Sequence, residues 1–143
     1  MKTGLIEFFS ADTDFDLGQS EIDSYQQWII RAFEKEGKKL GSINIIACSD
    51  TYLLDLNQSY LQHDYFTDIL TFQYSEEPVE GELFISMDRV RENAKDRDLP
   101  FKEELKRVVI HGILHLIGYS DKEKKEKLAM TAKEDAYLSL WNE

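Results

Sequence analysis

The stretch Leu105-Lys106-Arg107-Val108-Val109-Ile110-His111-Gly112-Ile113-Leu114-His115-Leu116-Ile117-Gly118 decides how the rest of the chain is read. Leu105, Val108, Val109, Gly112, Ile113 and Leu116 recur at helical spacing, so the stretch is a helix with one apolar face turned to a core. Leu99-Pro100 separates it from the segment before, and Gly118 permits the left-handed turn that ends it. His111 and His115 stand four positions apart on this helix, so their imidazoles project from the same side.

Working outward, Ser86 to about Asp98 is helical, and the segments before it are strands. Glu82-Leu83-Phe84-Ile85 and Asp68-Ile69-Leu70-Thr71-Phe72 form two of them, joined by a turn that carries Pro78 and Gly81. Asn44 to Cys48 is another, followed by a short helix capped by Ser49 or Asp50 and holding Leu53, Leu54, Leu56 and Asn57. Leu5 to Phe9 is the first strand. A polar loop with Asp12, Asp14 and Asp16 leads from it to a helix starting near Ser20, with Ile22, Tyr25, Ile29 and Phe33 on one face and Gly37 at its end. Beyond Gly118 a last helix runs from about Glu123 to Trp141. The order β-α-β-α-β-β-α-α-α predicts an α+β fold: a small mixed four-stranded sheet packed with about five helices, one of them a zincin-like metal helix.

With 143 residues, no repeat, no low-complexity tract and prolines only at positions 78 and 100, residues 1–143 are expected to form a single domain. Apolar runs of only a few residues argue against a membrane span or a secretion signal, and the lone Cys48 cannot form an internal disulfide. A cytoplasmic protein is the expectation, with Cys48 as a small buried residue. The formal charge of -11 opposes long-range attraction to nucleic acid or anionic membrane, so a polyanionic substrate needs a local cation. A divalent metal would be one. Arg89, Arg91, Lys95 and Arg97 could supply another, although their interleaving with Asp88, Glu92, Asp96 and Asp98 favours a plain solvated helix face.

Two histidines at this spacing can grip one ion, and a catalytic zinc usually takes a third protein ligand while keeping a fourth position open. Asp121 is the best candidate, because three residues beyond Gly118 the chain can swing back toward the pair. The plainer alternative makes His111 and His115 ordinary helix residues, with Gly118 and Asp121 only a cap and a turn. Both imidazoles would then need other partners on an otherwise apolar helix, and we favour the metal. Gly112 stands where the metalloprotease motif His-Glu-x-x-His has its general base, so a standard peptidase mechanism is not expected. Glycine inside a helix costs on the order of 1 kcal/mol relative to alanine, which points to close packing or access at this position. Asn57, Asp64, Thr67 and Asp68 lie in a polar stretch before a strand and are candidates to orient substrate or support the metal ligands, or simply to cap a helix and close a turn. His63 reads as a loop residue.

Three blocks resemble the YbeY family of bacterial ribosomal RNA maturation factors. They are His111-Gly112-Ile113-Leu114-His115-Leu116-Ile117-Gly118-Tyr119, Leu56-Asn57-Gln58-Ser59-Tyr60, and Thr67 to Phe72, with Gly81-Glu82-Leu83-Phe84-Ile85-Ser86 similar to the family's Gly-Asp-Ile strand. The resemblance implies a zinc-dependent, single-strand-specific endoribonuclease that matures the 3′ end of small-subunit ribosomal RNA and acts in ribosome quality control. It implies one Zn2+ per chain on His111, His115 and Asp121, with another divalent transition metal as an alternative. The partners it implies are single-stranded ribosomal RNA and ribosomal subunits, with no DNA and no membrane, and the chain acting as a monomer. Two positions depart from the family pattern. Asp121 stands where the family usually has a third histidine, and Leu61 stands where it usually has arginine, with His63 a possible substitute in a place where lysine is frequent. Two other readings stay open: a zinc hydrolase of another class, such as a peptidase with a base from outside the helix, and a non-catalytic ribosome-assembly factor with structural zinc.

Overall fold

The computed structural model describes residues 5–61 and 67–141. Among them are four strands and five helices: β1 (Leu5–Ser10), α1 (Gln19–Glu36), β2 (Leu40–Cys48), α2 (Asp50–Leu61), β3 (Ile69–Glu76), β4 (Val79–Ser86), α3 (Met87–Asp96), α4 (Phe101–Ile117) and α5 (Lys124–Leu138). The sheet order is β1-β2-β4-β3, with β1 parallel to β2, β2 parallel to β4, and β3 antiparallel to β4. This is the expected mixed sheet and element order.

The helix quoted at the outset is α4, and it is more central than its predicted stripe. Ile110, Ile113 and Leu114 are each 0 % exposed, so burial extends well beyond one face. The reason is packing from several sides, since α1, α3 and α5 as well as β3 and β4 lie against it. Successive strand residues point to opposite faces of the sheet. Leu83 and Ile85 of β4 join the main core with α4, whereas Phe84 belongs to a second, smaller cluster with Cys48, Leu53, Leu70 and Phe72 under α2. Cys48 is fully buried, and burial with the nearby Asp12, Asp50 and Asp88 pushes its thiol up to about 12, as befits an inert core residue.

Two glycines set how closely these layers approach. A Cβ on Gly112 would lie 2.6 Å from Ile69 Cδ1 and 3.0 Å from Leu83 Cδ2, so its absence lets α4 settle against β3 and β4. A Cβ on Gly81 would lie 2.5 Å from the backbone oxygen of Phe72. Gly81 is therefore a strand residue, not part of the turn where the sequence pattern put it. The turn is Glu77-Pro78, with a cis bond between them, and both strands run further than predicted toward it.

The remaining boundaries follow local chemistry. Gly37 ends α1 in the left-handed conformation, at φ 68°. The Ser49 hydroxyl accepts from the Tyr52 amide at 3.1 Å and caps α2, and Ser86 does the same for α3 by accepting from the Arg89 amide. Glu123 and Glu126 form a reciprocal capping box at the start of α5.

Candidate metal centre and its cleft

Positions 107, 111 and 115 form one row on α4, each a helical turn above the last. The row ends at Gly118, whose φ of 129° and capping bonds to the Leu114 and His115 carbonyls turn the chain back. That reversal carries Asp121 to the two histidines. The Nε2 atoms of His111 and His115 are 3.1 Å apart, Asp121 Oδ2 is 3.2 Å from His111 Nε2, and Asp121 Oδ1 is 3.4 Å from His115 Nε2. Two donors bound ~2.0–2.1 Å from a tetrahedral zinc lie roughly 3.3 Å from each other. The His–His separation, and the approach of one Asp121 oxygen to each ring, are close to such an edge, and one ligand atom from each residue lies within 4.8 Å of the others, so the group can hold one metal ion.

Protonation fits the same use. Burial and the neighbouring His111 hold His115 below the usual imidazole range, against the opposing pull of Asp121, which favours the neutral ligand form. His111 differs. Burial alone would lower its pKa, but the carboxylates of Glu134, Asp121 and Asp68 outweigh it and raise it. Glu134 on α5 is the strongest of these, with Oε2 2.5 Å from His111 Nδ1 while its Oε1 accepts from Arg107 Nη1 at 2.8 Å.

The three candidate ligands sit on the wall of an open cleft of about 430 Å³ that is also lined by Asn57, Thr67 and Asp68. The structure thus brings three of the five remaining candidates together with the histidines. Asn57 is 1 % exposed on α2. The Asp68 carboxylate accepts from Asn93 Nδ2 at 3.2 Å, and burial raises its pKa against the opposing pull of His111 and Arg97. His63 and Asp64 lie outside the described residues. Leu61 also lines the cleft, at the end of α2.

A second opening of about 350 Å³ meets the first at Asp68, His111 and Asp121 and brings in Arg97, Glu104 and Lys127. Here the expectation of a plain solvated face on α3 holds for the exposed Arg91 and Lys95 and is incomplete for Arg97 and Arg89. Arg97 reaches across to α4 and forms a two-pronged pair with the buried Glu104 carboxylate at 3.0 and 3.1 Å, and Arg89 pairs with Asp50 at 2.8 Å. Arg91, paired with Asp88 at 3.5 Å and largely exposed, keeps the solvated role.

Sequence reasoning missed Arg107, Glu104 and Glu134, and named Arg97 only as one of four cations along a helix. Arg107 had a visible signal, since it precedes His111 by one helical turn. Glu134 had none, because it is one acid among several on an exposed-looking helix and only the docking of α5 brings it to the site.

The chain is similar to known proteins over nearly its whole length. The family model described as Endoribonuclease YbeY matches residues 9–142. Endoribonuclease YbeY of Flavobacterium psychrophilum is 47% identical over 135 residues, covering 94% of this chain and 95% of the relative. The protein of the same name from Cytophaga hutchinsonii is 49% identical, with 98% of each chain covered. Among solved structures, the solution structure of TM1509 from Thermotoga maritima superposes with a TM-score of 0.67 at 32% identity, covering 94% of this chain and 87% of that one. Matched over nearly its whole length by the family model and by relatives near half identity, the chain belongs to the YbeY endoribonuclease family.

Proposed function

We propose that this chain is a metal-dependent endoribonuclease that cuts single-stranded RNA, with His111, His115 and Asp121 holding a zinc ion. The observation that carries this reading is a pair of imidazole Nε2 atoms 3.1 Å apart, with one Asp121 oxygen 3.2 Å from His111 and the other 3.4 Å from His115, on the wall of an open cleft. A structural zinc is usually enclosed by four protein ligands, whereas three ligands beside an open cleft leave room for substrate.

A zinc ion held by His111, His115 and Asp121 would supply Lewis acidity toward a phosphoryl oxygen and would lower the pKa of water toward neutral pH. The protein's own groups do the rest. Asp68, whose pKa burial raises, is placed on the cleft wall to accept a proton from the attacking group. Asn57 and Thr67 offer neutral hydrogen-bonding groups on the same wall, suited to ribose and base edges. With Gly112 where a peptidase would carry its glutamate, the carboxylate that lines the cleft besides Asp121 is that of Asp68, just before β3 and not on the metal helix.

Family membership supports RNA as the substrate, and we extend the reading to maturation of the small-subunit ribosomal RNA 3′ end and to ribosome quality control. In this reading residues 1–143 act as one domain, on ribosomal subunits, in the cytoplasm and as a monomer. No helix among the described residues is long and apolar enough to cross a membrane.

The test is cleavage of an end-labelled single-stranded RNA by wild type and His115→Ala, purified in parallel, with and without chelator and beside a double-stranded control. We expect cleavage of the single strand by untreated wild type only. Equal cleavage by both preparations would mean a contaminant, and loss of the reading. Chelator-sensitive cleavage of casein without cleavage of RNA would turn it into a peptidase.

A further inference from the structure

Beside the three candidate ligands lies a group that the reaction above does not use. Glu134 is 6 % exposed, yet it carries a carboxylate on α5 with each oxygen engaged by a different partner on α4: Oε1 by Arg107 and Oε2 by His111 Nδ1. Burying such a pair is costly, and a buried ion pair is weak evidence for stability in itself. Nor does α5 need it for docking. Trp28 Nε1 donates to the Tyr137 carbonyl at 2.7 Å and the Tyr137 hydroxyl donates to Glu36, one turn further along the helix, and Arg31 donates to the Leu140 carbonyl at 3.1 Å just past its end.

We propose that Glu134, itself held by Arg107, is a positioning residue of the metal centre. It accepts the Nδ1 proton of His111 and so leaves Nε2 of that ring as the ligand atom facing His115 and Asp121. A neutral imidazole carries one proton, and the nitrogen that donates decides which one can bind metal. Carboxylate partners of this kind fix ring orientation and raise ligand basicity, and their loss typically weakens metal binding roughly 10- to 100-fold. Arg107 completes the device by occupying the other carboxylate oxygen; its further contact at 2.6 Å, to the exposed Asp135, lies outside the site. Helix α5 is then part of the metal site although it supplies no ligand. This inference rests on the metal reading above but not on the identity of the substrate.

Glu134→Gln makes the test sharp. Arg107 has only donors to offer, so it draws the amide oxygen and leaves the amide NH2 facing His111 Nδ1. That nitrogen must then accept, and the ring proton moves to Nε2, the ligand atom. Zinc affinity, measured by competition with a chromogenic chelator, should fall roughly 10- to 100-fold in Glu134→Gln. Asp135→Ala, which removes only the exposed partner of Arg107, should stay within about 2-fold of wild type, as expected for a residue outside the site. In metal-free wild type, at a pH where the ring is neutral, the ring nitrogen resonances of His111 should show the proton on Nδ1 and leave Nε2 bare.

The nitrogen spectrum needs no variant, so it decides the matter even if Glu134→Gln fails to fold. A proton on Nε2 of the neutral His111 ring in metal-free wild type, or unchanged zinc affinity in a folded Glu134→Gln, would overturn the proposal. Wild type that binds no zinc would sink it together with the metal reading. Zinc binding with the predicted loss in the variant, but no RNA cleavage by wild type, would uphold it and sink only the nuclease.

Discussion

Asp121 brings a carboxylate to a point where two imidazoles already meet, and its chemistry differs from that of a third ring. A carboxylate is a harder, anionic ligand, and oxygen ligands suit manganese and magnesium better than imidazole does. The family resemblance leads one to expect histidine at this position, so the substitution bears on which metal the site prefers. We expect Asp121→His to increase the preference for zinc over manganese, read as the ratio of the two dissociation constants in competition titrations. An unchanged ratio would show that the third ligand does not set selectivity. At this scale the sequence was legible for His111, His115 and Asp121, because spacing on one helix and a glycine turn are local features. Asn57, Thr67 and Asp68 could be named as polar candidates only, since their convergence on the cleft depends on how α2 and β3 pack.

The contacts between elements give two further expectations. Gly112→Ala and Gly81→Ala both add one methyl group, but they meet different neighbours. At Gly112 the new carbon faces the flexible ends of Ile69 and Leu83, and alanine's better helix propensity, worth about 1 kcal/mol, offsets part of the overpacking cost of about 1–3 kcal/mol. At Gly81 it meets the Phe72 backbone oxygen at 2.5 Å, which cannot move without disturbing the β3–β4 ladder. Chemical denaturation should therefore rank Gly81→Ala as the more destabilising of the two, and the reverse order would contradict the packing described.

The second expectation concerns the clamp between α1 and α5, where the Glu36 carboxylate accepts from Tyr119 at 2.7 Å, from Lys133 at 3.0 Å and from Tyr137. Burial alone would raise its pKa, but these partners outweigh burial and lower it. A depressed carboxylate stabilises the fold fully above its unfolded pKa, about 4.3, and that contribution disappears as pH falls through the lower folded value. Glu36→Gln should cost about 1–3 kcal/mol at neutral pH, and the gap from wild type should narrow in acid. Urea midpoints at pH 7 and below pH 4 measure this, and a gap independent of pH would rule out the charged clamp.

For the molecule as a whole, a formal charge of -11 has to coexist with a polyanionic substrate. Near the candidate centre the cations are few: Arg97 and Arg107 are tied to Glu104 and Glu134, and Lys127 lines the same opening. With at most about three phosphates neutralised, the logarithm of RNA affinity should fall with the logarithm of salt at a slope of about -2 or shallower. Removing the metal should weaken binding as well as abolish cleavage. A steep slope in a salt titration would mean that cations other than these three meet the RNA.

What the sequence determined by itself was everything carried by local periodicity: the element order, the apolar identity of the helix at 101–117, its glycine end, and the pairing of His111 with His115 one turn apart. It also constrained the chemistry through what stands at Gly112. Only the tertiary structure decided that this helix is buried on several sides, that Gly81 lies inside a strand, that Arg97 leaves its helix face for Glu104, and that Glu134 stands behind His111. Each of these depends on contacts between segments far apart in the chain. The pair Glu134 and His111 is 23 residues apart and has no periodicity to betray it, because a side chain's partner across two packed helices is set by how the helices dock and not by either helix alone.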